Sequence, residues 1–208
     1  MAKRVAFFAS KEDVEAIFNL NTKKEAIFEP QYNIAPGHQL PAIVPGKERG
    51  LYEIKRMRWG HLNNEKTVLS SNDEAVFEGK GLQRCVLPLS GFYVWKDDKE
   101  KEQPFFVRML NNPVMPVAGL IETDGNEDFV CIVTMKSNPL IHPMSDEMPL
   151  LLDKTTAIKW VDPKADPKNV LESAENLYLL TDLSVLRVSK KVNDPANNDP
   201  RLIQPIPK

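Results

Sequence analysis

Three histidines and two cysteines are the residues best able to do nucleophilic or metal chemistry, and their spacing gathers none of them. His38, His61 and His142 stand far from one another and from Cys85 and Cys131. A zinc-type site needs three or four such ligands, which usually show as short paired spacings. The expectation is no metal site and no cofactor. Both cysteines lie in apolar stretches, RCVLPL and FVCIVT, and read as buried free thiols of a reducing compartment. Four other stretches are harder to read as plain core. They are QYNIAPG over 31–37, MRWGH over 57–61, RCVLPLSGFYVWK over 84–96, and IVTMKSNPLIHPMSDEMPLLL over 132–152, with VSKKVNDPANNDPRLIQP following near the end. Asn33 ahead of an apolar pair and Pro36-Gly37 predicts a turn held by a polar side chain. Taken singly, each stretch also reads as turn and aromatic core, Tyr93 and Trp95 included.

The elements that must position these residues are mostly strands. Val5–Phe8, Gln39–Val44 and Leu51–Trp59 read as strands, with Pro45-Gly46 turning between the last two. Arg84–Leu89, Gly91–Trp95, Phe105–Met109, Met115–Ile121 and Phe129–Thr134 follow, and Thr123–Asp128 suits a hairpin loop. Ser10 with Asp13 three residues on predicts a capped helix whose apolar face is Val14, Ile17 and Phe18. Asp73–Leu82 reads as irregular or helical. Asp153 is expected to cap a helix reaching Trp160, and Asp166-Pro167 to open another to about Ala174. Two short strands are expected near Leu177–Leu180 and Val185–Val188, and the tail from Asn193 is expected to run over the surface. Strands do not alternate with helices as βαβ units would, so the class is α+β. No linker divides the chain, so one domain over 1–208 is expected.

Bulk composition excludes more than it assigns. With 42% hydrophobic and 27% charged residues the chain is an ordinary globular one, and 208 residues can bury a full core. A net charge of -2 gives no global basic field, so any nucleic-acid contact must come from a local patch. Lys3, Arg4, Lys55, Arg56 and Arg58 make such a patch if they share a face; otherwise Lys55 to Arg58 guard an edge strand. The apolar run Val5–Ala9 is too short for a secretory leader, and no stretch is long enough to span a bilayer. A cytoplasmic protein with no membrane partner is the expectation.

In their order the stretches resemble the SOS response-associated peptidase family, whose members process abasic sites in single-stranded DNA. That family runs from an N-terminal Met-Cys-Gly-Arg through YN-x-APG, WG, NAR-x-E, RC-x-x-P-x-x-GFYEW and an IHDRMP element to VN and P-x-LI. Here these fall at Met1–Arg4, Tyr32–Gly37, Trp59-Gly60, Ser70–Glu74, Arg84–Trp95, Met144–Pro149, Val192-Asn193 and Pro200–Ile203. The resemblance covers nearly the whole chain. It implies an α+β domain with a mostly antiparallel, barrel-like β core surrounded by helices. It also implies single-stranded or abasic DNA as partner. Arg4, Asn33, Arg58, Trp59, Glu74 and Thr134 are the positions it points to for DNA binding.

The chemistry implied by the resemblance begins with removal of Met1, which exposes a cysteine bearing a free α-amine. The amine adds to the aldehyde of the opened abasic sugar and the thiol closes a five-membered ring. An α-amine with pKa about 8 supplies enough neutral form near pH 7. A Glu, a His and an Asn open the sugar and move protons. None of the four is present. Ala2 stands in place of the cysteine, Ser70 of the Asn, Val94 of the Glu and Ser145 of the His. Neither Cys85 nor Cys131 can substitute, because neither carries the α-amine. His142, three residues before Ser145, reads as a loop or surface histidine that a helical turn would bring near 145. The family's NAR arginine is here Asn72 and the arginine of HDRMP is Glu147. The Pro and Trp wedge that follows WG is replaced by His61-Leu62-Asn63-Asn64.

Three readings follow. The chain keeps the fold and weak single-stranded DNA binding without cross-linking; this one is favoured. Alternatively the Ala2 amine forms an imine that leads to strand cleavage, with Glu74 or His142 as base. Or the chain is a protein-interaction scaffold whose Val94 and Ser145 line a closed pocket.

Overall fold

The computed structural model describes residues 3–20, 25–60, 67–70, 76, 82–96, 102–124, 127–177 and 182–207. Ala2, His61 and Glu74 lie outside these residues, as does most of Asp73–Leu82 and most of the strand expected over Leu177–Leu180.

The first strand, β1 (Arg4–Phe7), leads into the short helix α1 (Lys11–Glu15). The reciprocal cap legible in the sequence is formed: Ser10 Oγ accepts from the Asp13 N–H and the Asp13 carboxylate accepts from the Ser10 N–H. The chain then supplies β2 (Gln31–Ile34), β3 (Gln39–Pro45), β4 (Tyr52–Trp59), β5 (Val68–Ser70), β6 (Gln83–Leu89), β7 (Gly91–Lys96), β8 (Gln103–Met109), β9 (Met115–Asp124), β10 (Glu127–Lys136) and β11 (Glu147–Pro149). Helices α2 (Lys154–Val161) and α3 (Pro167–Leu177) and strand β12 (Leu183–Arg187) complete it. Asp153 caps α2, and Pro167 opens α3, as the sequence predicts.

The strands form two sheets. One has five strands in the order β12-β8-β7-β1-β2. In the other, β3 pairs with β4 and β6, β6 with β9, β9 with β10, and β10 with β4. That ring of pairings closes a five-stranded barrel, which leaves β5 and β11 as additions on β10. Most pairs are antiparallel; β4 and β5 run parallel to β10. The class is therefore α+β, with a mostly antiparallel barrel-like core.

The main core lies within the barrel and between it and the inner face of the five-stranded sheet. Val5, Phe7, Phe92, Val94, Cys85, Cys131, Val133 and Met148 all belong to it. Outside, α2 packs on β6 and β9. Its Trp160 is fully buried and donates its indole N–H to the carbonyls of Cys85 (2.9 Å) and Gly119 (3.2 Å). Arg84 covers that ring at 5.6 Å and donates to the Asp162 and Ala165 carbonyls, so the family-like Arg84 ties α2 to α3. Both cysteines are buried and free, and burial, with Cys131 nearby, pushes the Cys85 thiol well above the ordinary range.

A second, smaller core covers the outer face of the five-stranded sheet. Ala6, Tyr93 and Phe106 rise from the sheet and meet Val188, Val192 and Leu202 of the C-terminal segment. The tail expected to run over the surface does so as an anchored layer on that face. It forms 3-10 turns at Lys190–Asn193 and Pro200–Ile203, with Val192 and Leu202 almost wholly buried. Proline and asparagine density signals departure from helix and strand, and says nothing about burial of the apolar residues between.

Candidate functional site

The Pro36-Gly37 turn is built against the end of β4. The Gly37 N–H donates to the Trp59 carbonyl (2.8 Å) and the Trp59 N–H to the His38 carbonyl (2.8 Å). Gly37 (φ 88°) and Gly60 (φ 83°) adopt left-handed backbone that glycine tolerates. Two stretches 22 residues apart therefore meet, and the Arg58 guanidinium lies beside Gly37. The turn is not held by Asn33, as the sequence suggested. His38 Nδ1 accepts from the Ala35 N–H at 3.4 Å instead. Trp59 itself is fully buried and its indole donates to the Thr67 carbonyl (2.8 Å), so its ring is core and presents no stacking face.

Asn33 serves the C-terminal segment. β2 carries one extra residue against β1, since Val5 pairs with Ile34 but Phe7 with Gln31. The bulge lets Tyr32 and Asn33 both serve the outer side. Tyr32 stacks on Phe8, while Asn33 Nδ2 faces three carbonyls, Val192 (3.1 Å), Asp194 (2.9 Å) and Asn197 (3.1 Å). A side chain only 3% exposed thus fixes the whole turn. Asn33→Ala should cost about 2 kcal/mol, because it strands buried carbonyls that have lost their donor. A shift of the denaturant midpoint at constant slope checks this.

Arg4, Trp95 and Asn193 converge beside that turn. Arg4 pairs with Tyr93 in the β1–β7 ladder, and its Nη2 donates to the Asn193 carbonyl at 3.4 Å while Nη1 donates to the Lys3 carbonyl at 2.8 Å. Burial holds the guanidinium below its ordinary pKa. The Trp95 indole donates to Asn193 Oδ1 at 2.9 Å. Tyr93 is fully buried, donates to the Tyr32 carbonyl at 2.7 Å, and its hydroxyl is pushed up by burial. Among the described residues no carboxylate pairs with Arg4 or Arg58.

Three of the four positions where the family pattern has its reacting side chains, Ser70, Val94 and Ser145, are among the described residues. Ser70, Thr134 and Pro149 stand abreast on β5, β10 and β11. Thr134 is 1% exposed. Ser145 lies in the turn before β11, where its hydroxyl donates to the Glu147 carbonyl (2.7 Å) and its N–H to the Ile141 carbonyl (3.1 Å). Val94 is on β7, opposite Phe105 and fully buried in the main core. His142 is exposed on the turns over 139–144, its Nδ1 3.6 Å from Asp146.

Two members of the expected basic patch are engaged elsewhere. Strand β4 lies between β3 and β10 in the sheet, but β10 covers it only at its end, Arg58 and Trp59. Lys55 pairs with Glu53 at 3.3 Å, and Arg56 donates to the Ala26 and Ile27 carbonyls, closing the 3-10 turn Glu25–Phe28. Lys3, Arg4 and Arg58 remain as the cations of this group without a carboxylate partner among the described residues, Arg4 being held by the Lys3 and Asn193 carbonyls. Sequence reasoning gave Asn193 only as a matching position; its bonds to Arg4 and Trp95 join residues about a hundred and more positions apart, which no local pattern announces. Among the described residues no His, Cys, Asp and Glu cluster is arranged to hold a metal, and no helix is long and apolar enough to cross a membrane.

Comparison with known proteins identifies the family. The family model described as SOS response associated peptidase (SRAP) matches residues 1–195. The abasic site processing protein YoqW of Bacillus subtilis (strain 168) is 28% identical over 224 residues, covering 98% of this chain and 99% of that protein. The abasic site processing protein YedK of Escherichia coli (strain K12) is 23% identical over 225 residues, covering 99% and 100%. An X-ray crystal structure of a Bacteroides thetaiotaomicron protein superposes with a TM-score of 0.77 at 17% identity, covering 98% of this chain and 99% of that one, which establishes the shared fold. With the family model spanning nearly its full length, the chain belongs to the SOS response associated peptidase family.

Proposed function

We propose that this chain binds single-stranded DNA, abasic DNA included, without forming the ring-closed covalent adduct. The observation that carries the reading is Ala2 in the place of the family's cysteine. Ring closure needs sulfur one carbon away from the carbon that bears the amine, and a methyl group offers none. The fully buried Val94 supports the same conclusion, because a hydrocarbon side chain neither takes nor gives a proton where the family pattern has a carboxylate. Arg4 and Arg58, without carboxylate partners among the described residues, are the groups suited to phosphate. Asn33, Trp59 and Thr134 are buried and act from within, Asn33 by holding the C-terminal turn whose Asn193 carbonyl receives Arg4, and Trp59 by anchoring the end of the strand that carries Arg58. Glu147, half-buried in β11, is a negative charge where the family pattern has a cation, and it weakens the affinity.

The test is incubation with an abasic single-stranded oligonucleotide, with and without borohydride, read on a denaturing gel. No conjugate is expected without reductant; a stable one would sink the proposal. A band seen only with borohydride, and lost when the α-amine is blocked, would reassign the chain to imine chemistry. Binding measured by fluorescence anisotropy should fall steeply with salt, and Arg4→Ala should lower the log–log salt slope by about 0.7, one phosphate on a single strand.

A further inference from the structure

We propose that Asn193 is a positioning residue that sets the Arg4 cation and the Trp95 ring from a single point, so that both meet one bound strand together. The inference rests on the DNA-binding reading given above. Asn193 uses its two oxygens for different partners. The main-chain carbonyl receives Arg4 Nη2 at 3.4 Å, and Oδ1 receives the Trp95 indole N–H at 2.9 Å. The residue cannot drift, because the carbonyls of its two neighbours, Val192 and Asp194, are both held by Asn33 Nδ2.

Arg4 and Trp95 come from adjacent strands, yet nothing in the β1–β7 ladder fixes their side-chain tips. A guanidinium has five donors, and here two of its nitrogens are occupied by main-chain carbonyls, which orient it without neutralising it. Its Nε is buried with no hydrogen-bond partner in the protein. The indole bonded through its edge nitrogen is restrained further by packing on the second core beside Tyr93 (ring centroids 6.4 Å apart), and the part of the ring left exposed is held in one place. Trp95 is also the one tryptophan of three that is partly exposed, since Trp59 and Trp160 are fully buried. A fixed cation next to a fixed aromatic face is suited to a nucleotide unit, phosphate to the first and base to the second.

The test combines fluorescence with a double-mutant cycle on the full chain, using a short unmodified single-stranded oligonucleotide as probe. Asn193→Ala removes the indole acceptor and should increase quenching of the exposed tryptophan by iodide. Asn193→Asp keeps an oxygen for the indole and should restore the wild-type quenching, which a general loss of packing would not do. Asn193→Ala and Trp95→Phe should each weaken oligonucleotide binding about 10-fold, and the double variant no more than either alone. Fully additive losses, or Asn193→Ala binding as wild type does, would overturn the inference while leaving DNA binding in place. Failure of the wild-type protein to bind the oligonucleotide would remove the underlying reading and this one with it. If Asn193→Ala proves poorly folded, Asn193→Ser decides the same point, since its shorter side chain leaves the Trp95 indole unbonded: raised quenching and weakened oligonucleotide binding are expected, and wild-type values of both would overturn the inference.

Discussion

Gly91→Ala should destabilise the fold by about 3 kcal/mol, enough to lower the melting temperature by several degrees. Adding a methyl to a strand glycine normally helps by about 0.5–1 kcal/mol, because the unfolded chain loses freedom. Here space decides the sign. A Cβ at position 91 would lie 2.5 Å from the Val107 carbonyl oxygen and overlap the edge of the Phe106 ring. The oxygen belongs to the β7–β8 ladder and cannot step aside without parting the strands. Phe106 is wedged against Tyr93, with ring centroids 4.9 Å apart. The glycine of the GFY stretch is therefore kept by close approach of a neighbouring strand, since its backbone is ordinary. Calorimetry on the purified variant checks the value, and a melting temperature equal to wild type would refute the steric account. Gly119→Ala makes an internal comparison. Its new Cβ would meet Cys85 Sγ at 2.8 Å and Leu87 Cγ at 3.1 Å, side-chain atoms that can shift more cheaply.

Val94→Glu, which writes the family's carboxylate back into its motif, should be the most destructive single substitution at neutral pH, at about 4 kcal/mol. Val94 is fully buried in the main apolar core, where a carboxylate loses its hydration without gaining a partner. Buried glutamates of this kind reach pKa values of about 8–9, against about 4.3 when unfolded. The sign follows from which state holds the proton. Between the two pKa values the folded state is protonated and the unfolded state is not, so stability falls as pH rises. The variant should be most stable below about pH 4 and should weaken steadily from there until the folded-state pKa is passed. Urea midpoints taken relative to wild type across pH 4–9 would show this slope. A flat difference would mean that the carboxylate reaches water, and hence that the core opens at β7 into a cleft able to host acid–base chemistry.

Both expectations turn on contacts between strands distant in sequence, and the same distance explains what could and could not be read beforehand. The Ser10–Asp13 cap, the Asp153 cap and the Pro167 helix start are local chemistry, and each is found where the residues predict. Long apolar strands such as Met115–Asp124 and Glu127–Lys136 were legible for the same reason, although the ladder carries them further into Thr123–Asp128 than the polar residues there suggest. Three short strands, Gln31–Ile34, Val68–Ser70 and Glu147–Pro149, have no periodicity of their own. They exist because β1 and β10 offer them pairing partners. At the candidate site the motif order identified the family, but not that Asn33 and Trp59 are buried and bonded to main-chain carbonyls. A polar or aromatic residue in a motif reads alike whether it faces a ligand or secures the turn that does, and only burial separates the two.

The C-terminal segment seals more than a hydrophobic face. Asn198 Oδ1 takes the Tyr32 N–H on one margin of the five-stranded sheet (2.7 Å), and the Ile206 N–H reaches the Arg187 carbonyl on the other (2.9 Å). The last twenty residues work as a gasket, blocking both rims at which a foreign strand would dock. A chain clipped near Val188 would present two open borders and a bare sheet of aromatics, the ingredients of cross-β stacking. Proteolytic trimming at this end would change the molecule's colloidal fate well before it disturbed the barrel.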